Sequence, residues 1–137
     1  MDKEYLKLLL KLPIKPFWAQ MDALGHFNNS VYFTFCEQAR ISWFDKIGLG
    51  DALSGKSKTG PVVINASCTF LKAAVYPCEL TVTLYADKPG RSSFMAYYEI
   101  SDEKNLYTTG SSKIVWIDFE KEKSVEIPQK IREILTQ

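Results

Sequence analysis

A short segment near the start of the chain holds most of the side chains that could act on a substrate. It reads DALGHFNN, residues 22–29, and contains an aspartate, a glycine, a histidine and two asparagines. Asp22 carries a carboxylate, which can act as a general base or as a nucleophile on an acyl group. The segment precedes a predicted helix, whose first backbone amides favour negative charge. Together these features predict an acyl-transfer site with an oxyanion stabilised at the start of the helix.

Each of these residues also has a purely structural interpretation. Asp22 can start a turn and Gly25 can supply a positive φ angle. Asn28 or Asn29 can cap the helix. Taken singly, such residues are more often structural than catalytic. Because they place several polar groups beside a very apolar helix, their combination favours a functional site.

The predicted helix starts near Asn29 and ends near Ile47, and it is apolar on nearly every face. Its apolar residues recur at helical spacing, at Tyr32, Phe35, Cys36, Ala39, Trp43 and Ile47. A helix of this kind is normally covered over most of its circumference. Glu37 and Arg40 lie three residues apart, a spacing that predicts an ion pair. Glu37 is also a candidate site residue.

After Gly60 the apolar period changes from helical spacing to two, which is typical of strands. Four segments alternate in this way, residues 62–71, 80–87, 92–101 and 106–119, and short turns separate the later ones. This pattern predicts four consecutive strands in an antiparallel meander. An earlier segment, residues 11–20, contains Pro13 and Pro16 and therefore suits an edge strand. The tail, residues 127–135, predicts a final helical turn or two.

The order of elements predicts an α+β fold in which a curved antiparallel sheet of about five strands wraps around one long central helix. A length of 137 residues fits a single domain, residues 1–137. The small residues 108–112 would let the last strand approach the helix closely. One helix cannot cover a five-stranded sheet on both faces, so a second copy of the chain is expected to cover an edge or an exposed face.

A second motif, GDALSGKS at residues 50–57, matches the phosphate-binding loop of nucleotide hydrolases letter for letter. A true phosphate loop follows a strand and begins a helix, whose amides hold the phosphates. Here a predicted helix precedes the motif, and Pro61 and a strand follow it. The match is therefore interpreted as coincidence. The lysines of this loop can still meet the phosphates of a nucleotide-tailed carrier, or can simply be solvated.

Composition excludes several classes of function. Seventeen basic and sixteen acidic residues give a net charge of +1, which argues against a nucleic-acid binder. Three cysteines without C-x-x-C spacing and a single histidine, His26, indicate neither a disulfide framework nor a metal site. No run approaches the roughly 20 apolar residues of a membrane span. The first residues lack the basic opening and cleavage site of a signal peptide, so a cytoplasmic location is expected.

Residues 22–32, DALGHFNNSVY, followed by Glu37-x-Ala39-Arg40, resemble the hotdog-fold acyl-CoA thioesterases of the 4-hydroxybenzoyl-CoA thioesterase type. Later pieces fall in the order expected for that family, at residues 70–72, 79–80, 90–93 and 127–128. The resemblance implies a sheet wrapped around one helix and a homodimer or homotetramer with sites at the subunit interface. It also implies hydrolysis of acyl-CoA without a metal or cofactor.

The resemblance further implies roles for the matching residues of the first motif. Asp22 is expected to be the catalytic carboxylate, which either activates water or attacks the thioester. The backbone amide of Asn29 is expected to stabilise the oxyanion. His26 and Asn28 are expected to shape the catalytic loop or the substrate end.

The remaining candidates are expected to bind the substrate. Tyr32 is expected to line the acyl pocket, and CoA contacts are expected at Lys72, Arg91 and Ser92. Two alternatives stay open at this point: hydrolysis of acyl groups on a carrier protein, and a hotdog module that binds acyl thioesters without turnover. The preferred acyl chain and the choice between dimer and tetramer cannot be derived from the residues.

Overall fold

A computed structural model of the chain describes residues 3–137, so residues 1 and 2 of the predicted domain lie outside the described part. A six-stranded antiparallel sheet curls around the long helix α1, which spans Asn29–Lys46. This arrangement confirms the α+β hotdog architecture and the helix bounds predicted from the sequence. The strands are β1 (Lys7–Ile14), β2 (Thr59–Phe70), β3 (Leu80–Ala86), β4 (Ser93–Ser101), β5 (Leu106–Asp118) and the short β6 (Lys123–Ser124). The two further helices are α2 (Gly50–Leu53) and α3 (Gln129–Thr136).

The order of the main strands across the sheet is β1-β3-β4-β5-β2, with β6 paired to β5. The prediction of a four-stranded meander is therefore right for β3, β4 and β5 and wrong for β2. Strand β2 pairs along its whole length with β5 instead of β3. Residues 71–79, which connect β2 to β3, exceed the two to five residues of an ordinary hairpin loop. This longer connection lets β2 lie at the far edge of the sheet.

The first strand is also displaced from its predicted position. Strand β1 covers Lys7–Ile14, whereas the prediction was residues 11–20. Beyond Pro16 the chain turns back on itself, because the Phe17 amide donates to Gln20 Oε1 at 2.8 Å and a 3₁₀ turn forms over Trp18–Gln20. The predicted edge position is confirmed, since β3 is the one strand that pairs with β1 within residues 3–137.

One face of α1 packs against the concave side of the sheet, and the opposite face is open. The buried helix residues are Tyr32, Phe35, Cys36, Ala39, Trp43 and Phe44. On the open face, Phe33 and Ile41 are 39% and 40% exposed. Within the described single chain, only one face of the helix is covered, which is less than the predicted coverage of most of its circumference.

Strand β5 comes close to both β2 and α1 at Gly110, as its small residues predicted. A Cβ atom at this position would lie 3.1 Å from the Ser67 carbonyl oxygen and 3.6 Å from the Cys36 Sγ atom. The Cys36 thiol also makes a hydrogen bond with Cys68, and this bond together with burial raises the pKa of Cys36 above its ordinary value. Helix, edge strand and β5 therefore meet at one tightly packed point.

The segment GDALSGKS does not form a phosphate loop. Its first residues form the short helix α2, and strand β2 follows from Thr59 onward. The Lys56 amide donates to the Asp51 carbonyl at 2.8 Å, which closes the loop on itself. This confirms that the motif lacks the strand-to-helix context of a nucleotide site. Among the described helices, none is both long enough and apolar enough to cross a membrane.

Candidate active site

The loop before α1 folds as a tight turn around Asp22. The Asp22 amide donates to the His26 carbonyl at 2.9 Å, and Gly25 takes a φ angle of +83°. Such an angle favours glycine because a Cβ atom would be strained there. The Leu24 amide donates to Asp22 Oδ1 at 2.9 Å, so this carboxylate oxygen is fixed by the backbone. Within residues 3–137, Asp22 Oδ2 has no hydrogen-bond partner, and it is the oxygen able to accept a proton or attack a carbonyl.

Of the two asparagines that the sequence offered as helix caps, Asn28 is the one that caps α1. Its Oδ1 atom accepts from the Ser30 amide at 2.9 Å and from the Ser30 hydroxyl at 2.8 Å. Asn29 is the first helical residue, and no acceptor in the described chain pairs with its backbone amide. The first amides of a helix have no acceptor within the helix and carry its partial positive charge. The Asn29 amide is thus available to bind a developing negative charge.

A cleft of about 260 Å³ opens beside this helix start. It brings together four of the residues predicted to act at the site, namely His26, Asn29, Tyr32 and Lys72. The rest of its lining comes from Phe27 and residues 70, 71 and 73. Asp22 lies in the loop beside the cleft without lining it in the single chain. The helix start, a histidine and a lysine therefore meet at one concave surface.

Tyr32 forms the buried wall of the cleft. It is 2% exposed, and its ring lies 5.6 Å from that of Phe70, between centroids. Its hydroxyl oxygen accepts from the Ala74 amide at 3.3 Å, which fixes the segment that follows Lys72. Burial raises the pKa of the Tyr32 hydroxyl, so the side chain is neutral at physiological pH.

Lys72 brings a positive charge to the edge of the cleft. Its Nζ atom donates to Asn105 Oδ1 at 3.0 Å, and its backbone amide donates to the Tyr107 carbonyl at 3.1 Å. Asn105 belongs to the turn between β4 and β5, which the sequence predicted only as a turn. No pattern in the sequence links positions 72 and 105, because the sheet alone brings them together.

The single chain does not bring Arg91 or Ser92 to this cleft. Both precede β4, and the Ser92 carbonyl accepts from the Trp116 amide at 2.8 Å. Trp116 packs on Phe44, near the C-terminal end of α1. The 18 residues of α1 separate the two ends by about 27 Å at 1.5 Å per residue. Arg91 and Ser92 therefore lie at the other end of the same protomer.

Glu37 is exposed on the open face of α1, two helical turns beyond Asn29. The predicted ion pair between Glu37 and Arg40 is wrong. The Arg40 guanidinium instead donates to the Tyr98 hydroxyl at 3.2 Å and lies 5.9 Å from the centre of that ring. The reason is that Arg40 faces the sheet, where a buried tyrosine offers both an acceptor oxygen and an aromatic face.

A larger groove, of about 510 Å³, is lined by residues 15–18 and 76–79. Exposed aromatic side chains dominate it, with Phe17 71% and Trp18 70% exposed. The Tyr76 amide, at its edge, donates to Met21 Sδ at 3.4 Å and so links the groove to the loop. Sequence reasoning missed this groove, although the adjacent aromatic pair at residues 17–18 was a visible signal.

In the described part of the chain, no three His, Cys, Asp or Glu side chains converge as metal ligands.

Known proteins are similar to this chain over nearly its whole length. The PA2801 protein of Pseudomonas aeruginosa is 35% identical, and the alignment covers 95% of this chain and 100% of that one, with a TM-score of 0.87. The DHNA-CoA thioesterase of Staphylococcus aureus is 25% identical over 94% of this chain and 85% of its own, with a TM-score of 0.78. An uncharacterised Bacillus subtilis protein, YsmA, is 28% identical over 119 residues, which is 86% of this chain and 79% of YsmA.

A family model supports the same assignment. The model of the thioesterase-like superfamily matches residues 17–135, a range that includes the loop before α1, α1 itself and all strands from β2 onward. The chain therefore belongs to the thioesterase-like superfamily.

Proposed function

We propose that this protein hydrolyses the thioester bond of acyl-CoA to a free acid and CoA. The observation that carries the proposal is the unpaired Asn29 amide at the start of α1, which opens onto the cleft directly after the Asp22 loop. A thioester carbonyl placed there would accept a hydrogen bond from this amide as it becomes an oxyanion. One such donor is worth about 2.7–4 kcal/mol in the transition state.

Asp22 supplies the second half of the reaction. Its free Oδ2 atom either removes a proton from the attacking water or attacks the carbonyl carbon itself. In the second route an anhydride forms with Asp22, the carbon–sulfur bond breaks, CoA leaves as the thiolate, and water then cleaves the anhydride. Both routes yield the same products. Structural relatives that are themselves CoA thioesterases, such as the Staphylococcus aureus protein, support CoA as the leaving group.

We further propose that a second copy of the chain completes each site in a homodimer or homotetramer. Apolar residues continue from the cleft along the exposed edge strand β2, where Ile64 is 60% exposed and Leu71, just beyond the strand, 54%. Extended apolar edges of this kind are normally covered in the native assembly. A partner packed here would bring its own Arg91 and Ser92 toward the CoA moiety, which explains why they lie far from the cleft in one chain.

The substitution Asp22→Asn tests the catalytic carboxylate. Asparagine keeps the Oδ1 acceptor for the Leu24 amide, so the loop is expected to fold unchanged. We expect CoA release to fall by about 10²–10⁴-fold, the usual contribution of a positioned acid–base group. Release is measured with a thiol reagent over short, long and aromatic acyl-CoAs.

Asp45→Asn is the matched control, because Asp45 is an exposed aspartate near the far end of α1. It removes the same charge and is expected to leave the rate unchanged. If the wild-type protein and Asp22→Asn release CoA equally slowly, the hydrolase proposal is wrong and a binding module remains. A rate on acylated carrier protein far above that on acyl-CoA would support the carrier-protein alternative.

A further inference from the structure

The main chain leading into the cleft lysine is held by β5. The amides of Leu71 and Lys72 both donate to the Tyr107 carbonyl, at 2.8 and 3.1 Å. A single carbonyl oxygen thus fixes the backbone from which the Lys72 side chain starts. The ammonium group is then directed by its contact with Asn105 Oδ1.

Asn105 is itself fixed by Asp102 and Tyr107. The Asn105 backbone amide donates to Asp102 Oδ1 at 2.7 Å, and the Tyr107 hydroxyl donates to Asp102 Oδ2 at 2.6 Å. The Asn105 side-chain Nδ2 atom donates to the Tyr107 hydroxyl at 3.4 Å. These three bonds leave Asn105 Oδ1 as the oxygen presented to Lys72.

The acceptor for Lys72 is a neutral amide and not a carboxylate. An ammonium group has three donor hydrogens, so one bond to Asn105 leaves two for another group. A carboxylate partner would cancel the positive charge, whereas an amide oxygen orients the charge and leaves it uncompensated. Asp102 accepts from the Asn105 and Lys104 backbone amides and from the Tyr107 hydroxyl, and within residues 3–137 no hydrogen bond or ion pair joins it to Lys72.

We infer that Asn105, held by Asp102 and Tyr107, is a positioning residue that aims the Lys72 ammonium at an anionic group of the substrate. This inference rests on the proposed function and adds to it a specificity element that the sequence did not reveal. The anionic group belongs either to the CoA phosphates or to an acyl chain that ends in a carboxylate. Both present the same charged oxygens to the lysine.

The experiment measures dissociation constants of non-hydrolysable thioether analogues by calorimetry, so the binding result does not depend on turnover. Three ligands separate the sources: a neutral acyl chain on CoA, the same chain on pantetheine without phosphates, and a carboxyl-terminated chain on pantetheine. The variants are Asn105→Ala, Lys72→Met and the double variant. Lys104→Met is the control, because it removes an exposed charge from the same turn without a side-chain contact to the cleft.

We expect Asn105→Ala and Lys72→Met each to weaken binding of one anionic ligand about fivefold, the upper range for one exposed charged contact. Binding of the neutral pantetheine ligand is expected to stay unchanged, because this ligand carries no anionic group for the lysine to contact. The double variant should be no weaker than Lys72→Met alone, since Asn105 acts only through the lysine. If the variants bind the CoA ligand more weakly, the anionic group that Lys72 contacts is a CoA phosphate. If they bind the carboxyl-terminated ligand more weakly, it is the carboxylate of the acyl chain.

Equal losses for all three ligands, no loss for any, or additive losses in the double variant would overturn the inference. So would a loss in Lys104→Met as large as that in Lys72→Met. In contrast, a wild-type protein that binds these analogues but cleaves no thioester contradicts the proposed hydrolysis alone. The two failures are therefore distinguishable.

Discussion

The two ends of α1 both carry aromatic side chains, but those at the C-terminal end are sealed from solvent. Their ring centroids are 5.4 to 6.4 Å apart, and each ring is at most 3% exposed. We call this group the closed cluster, and it consists of Trp43, Phe44, Phe94 and Trp116. Side chains that are this well covered contribute to stability through burial and packing.

The N-terminal end of the same helix carries an open cluster, which consists of Tyr32, Phe33 and Phe70. Its rings are similarly close, at 5.6 and 6.4 Å, yet Phe33 and Phe70 are each 39% exposed. The free Asn29 amide lies at this end, and sealing it from water without an acceptor would cost free energy. The comparison teaches that the fold places well-packed, stabilising aromatic rings at one end of α1 and leaves the rings at the other end partly exposed, where we propose that a ligand and a partner bind.

The largest effect is expected in the closed cluster. Trp116→Ala removes a ring that is 1% exposed and should lower the free energy of unfolding by about 3–5 kcal/mol. Denaturant unfolding measures this loss. Phe70→Ala, in the open cluster, should cost less because its ring is partly solvated already. A loss at Phe70 as large as that at Trp116, and independent of protein concentration, contradicts the comparison.

A smaller effect, on activity and not on stability, is expected at the open end. Asn29→Pro removes the backbone N–H at the first helical position, where proline is well tolerated. The preceding Asn28 has φ −58° and ψ 143°, which suits a residue before proline. We expect kcat to fall by about 10²–10³-fold, as for the loss of one oxyanion donor.

Asn29→Ala is the control for this change, because it keeps the amide and removes only the side chain. Thermal unfolding should give nearly the same midpoint for both variants. If alanine and proline slow turnover equally, the side chain and not the amide is responsible.

The smallest effect is a pH dependence of the turn that holds Lys72. The hydrogen bond from Tyr107 lowers the pKa of Asp102 below its ordinary value of 3.8, so the ionised form is favoured in the folded chain. The resulting stabilisation is present above the unfolded pKa and is lost as pH falls through the lower folded pKa. Tyr107→Phe should raise the pKa of Asp102, as followed by NMR titration of its carboxyl carbon. An unchanged titration midpoint would show that the phenol bond does not set this pKa.

The sequence predicted the elements that repeat locally far better than their partners. The apolar period of three to four residues predicted α1 almost to its ends, and the period of two predicted β3, β4 and β5. The same period could not place β2, because alternation fixes which side chains share a face and not which strand lies alongside. Strand β1 lies earlier in the chain than predicted, because residues after Pro16 that looked extended in the sequence form a 3₁₀ turn instead.

The site shows the same division. Asp22, Asn28 and Asn29 lie within eight residues, so their clustering was visible in the sequence. The hydrogen bond from Lys72 to Asn105 was not visible there, because 33 positions separate the two residues and only the curled sheet makes them neighbours. The ion pair expected for Arg40 failed for a related reason, because helical spacing does not reveal that Tyr98 lies opposite on the sheet.

The sequence by itself determined the long helix, the strand-forming segments, the polar loop at the helix start and the family resemblance. These features depend on residues that are close along the chain, where spacing and side-chain type decide the local conformation. Only the tertiary structure decided that β2 borders β5, that the Asn29 amide is free beside a cleft, and that Arg91 lies at the opposite end of the protomer. Those facts depend on packing between distant segments, which local residue preferences do not specify.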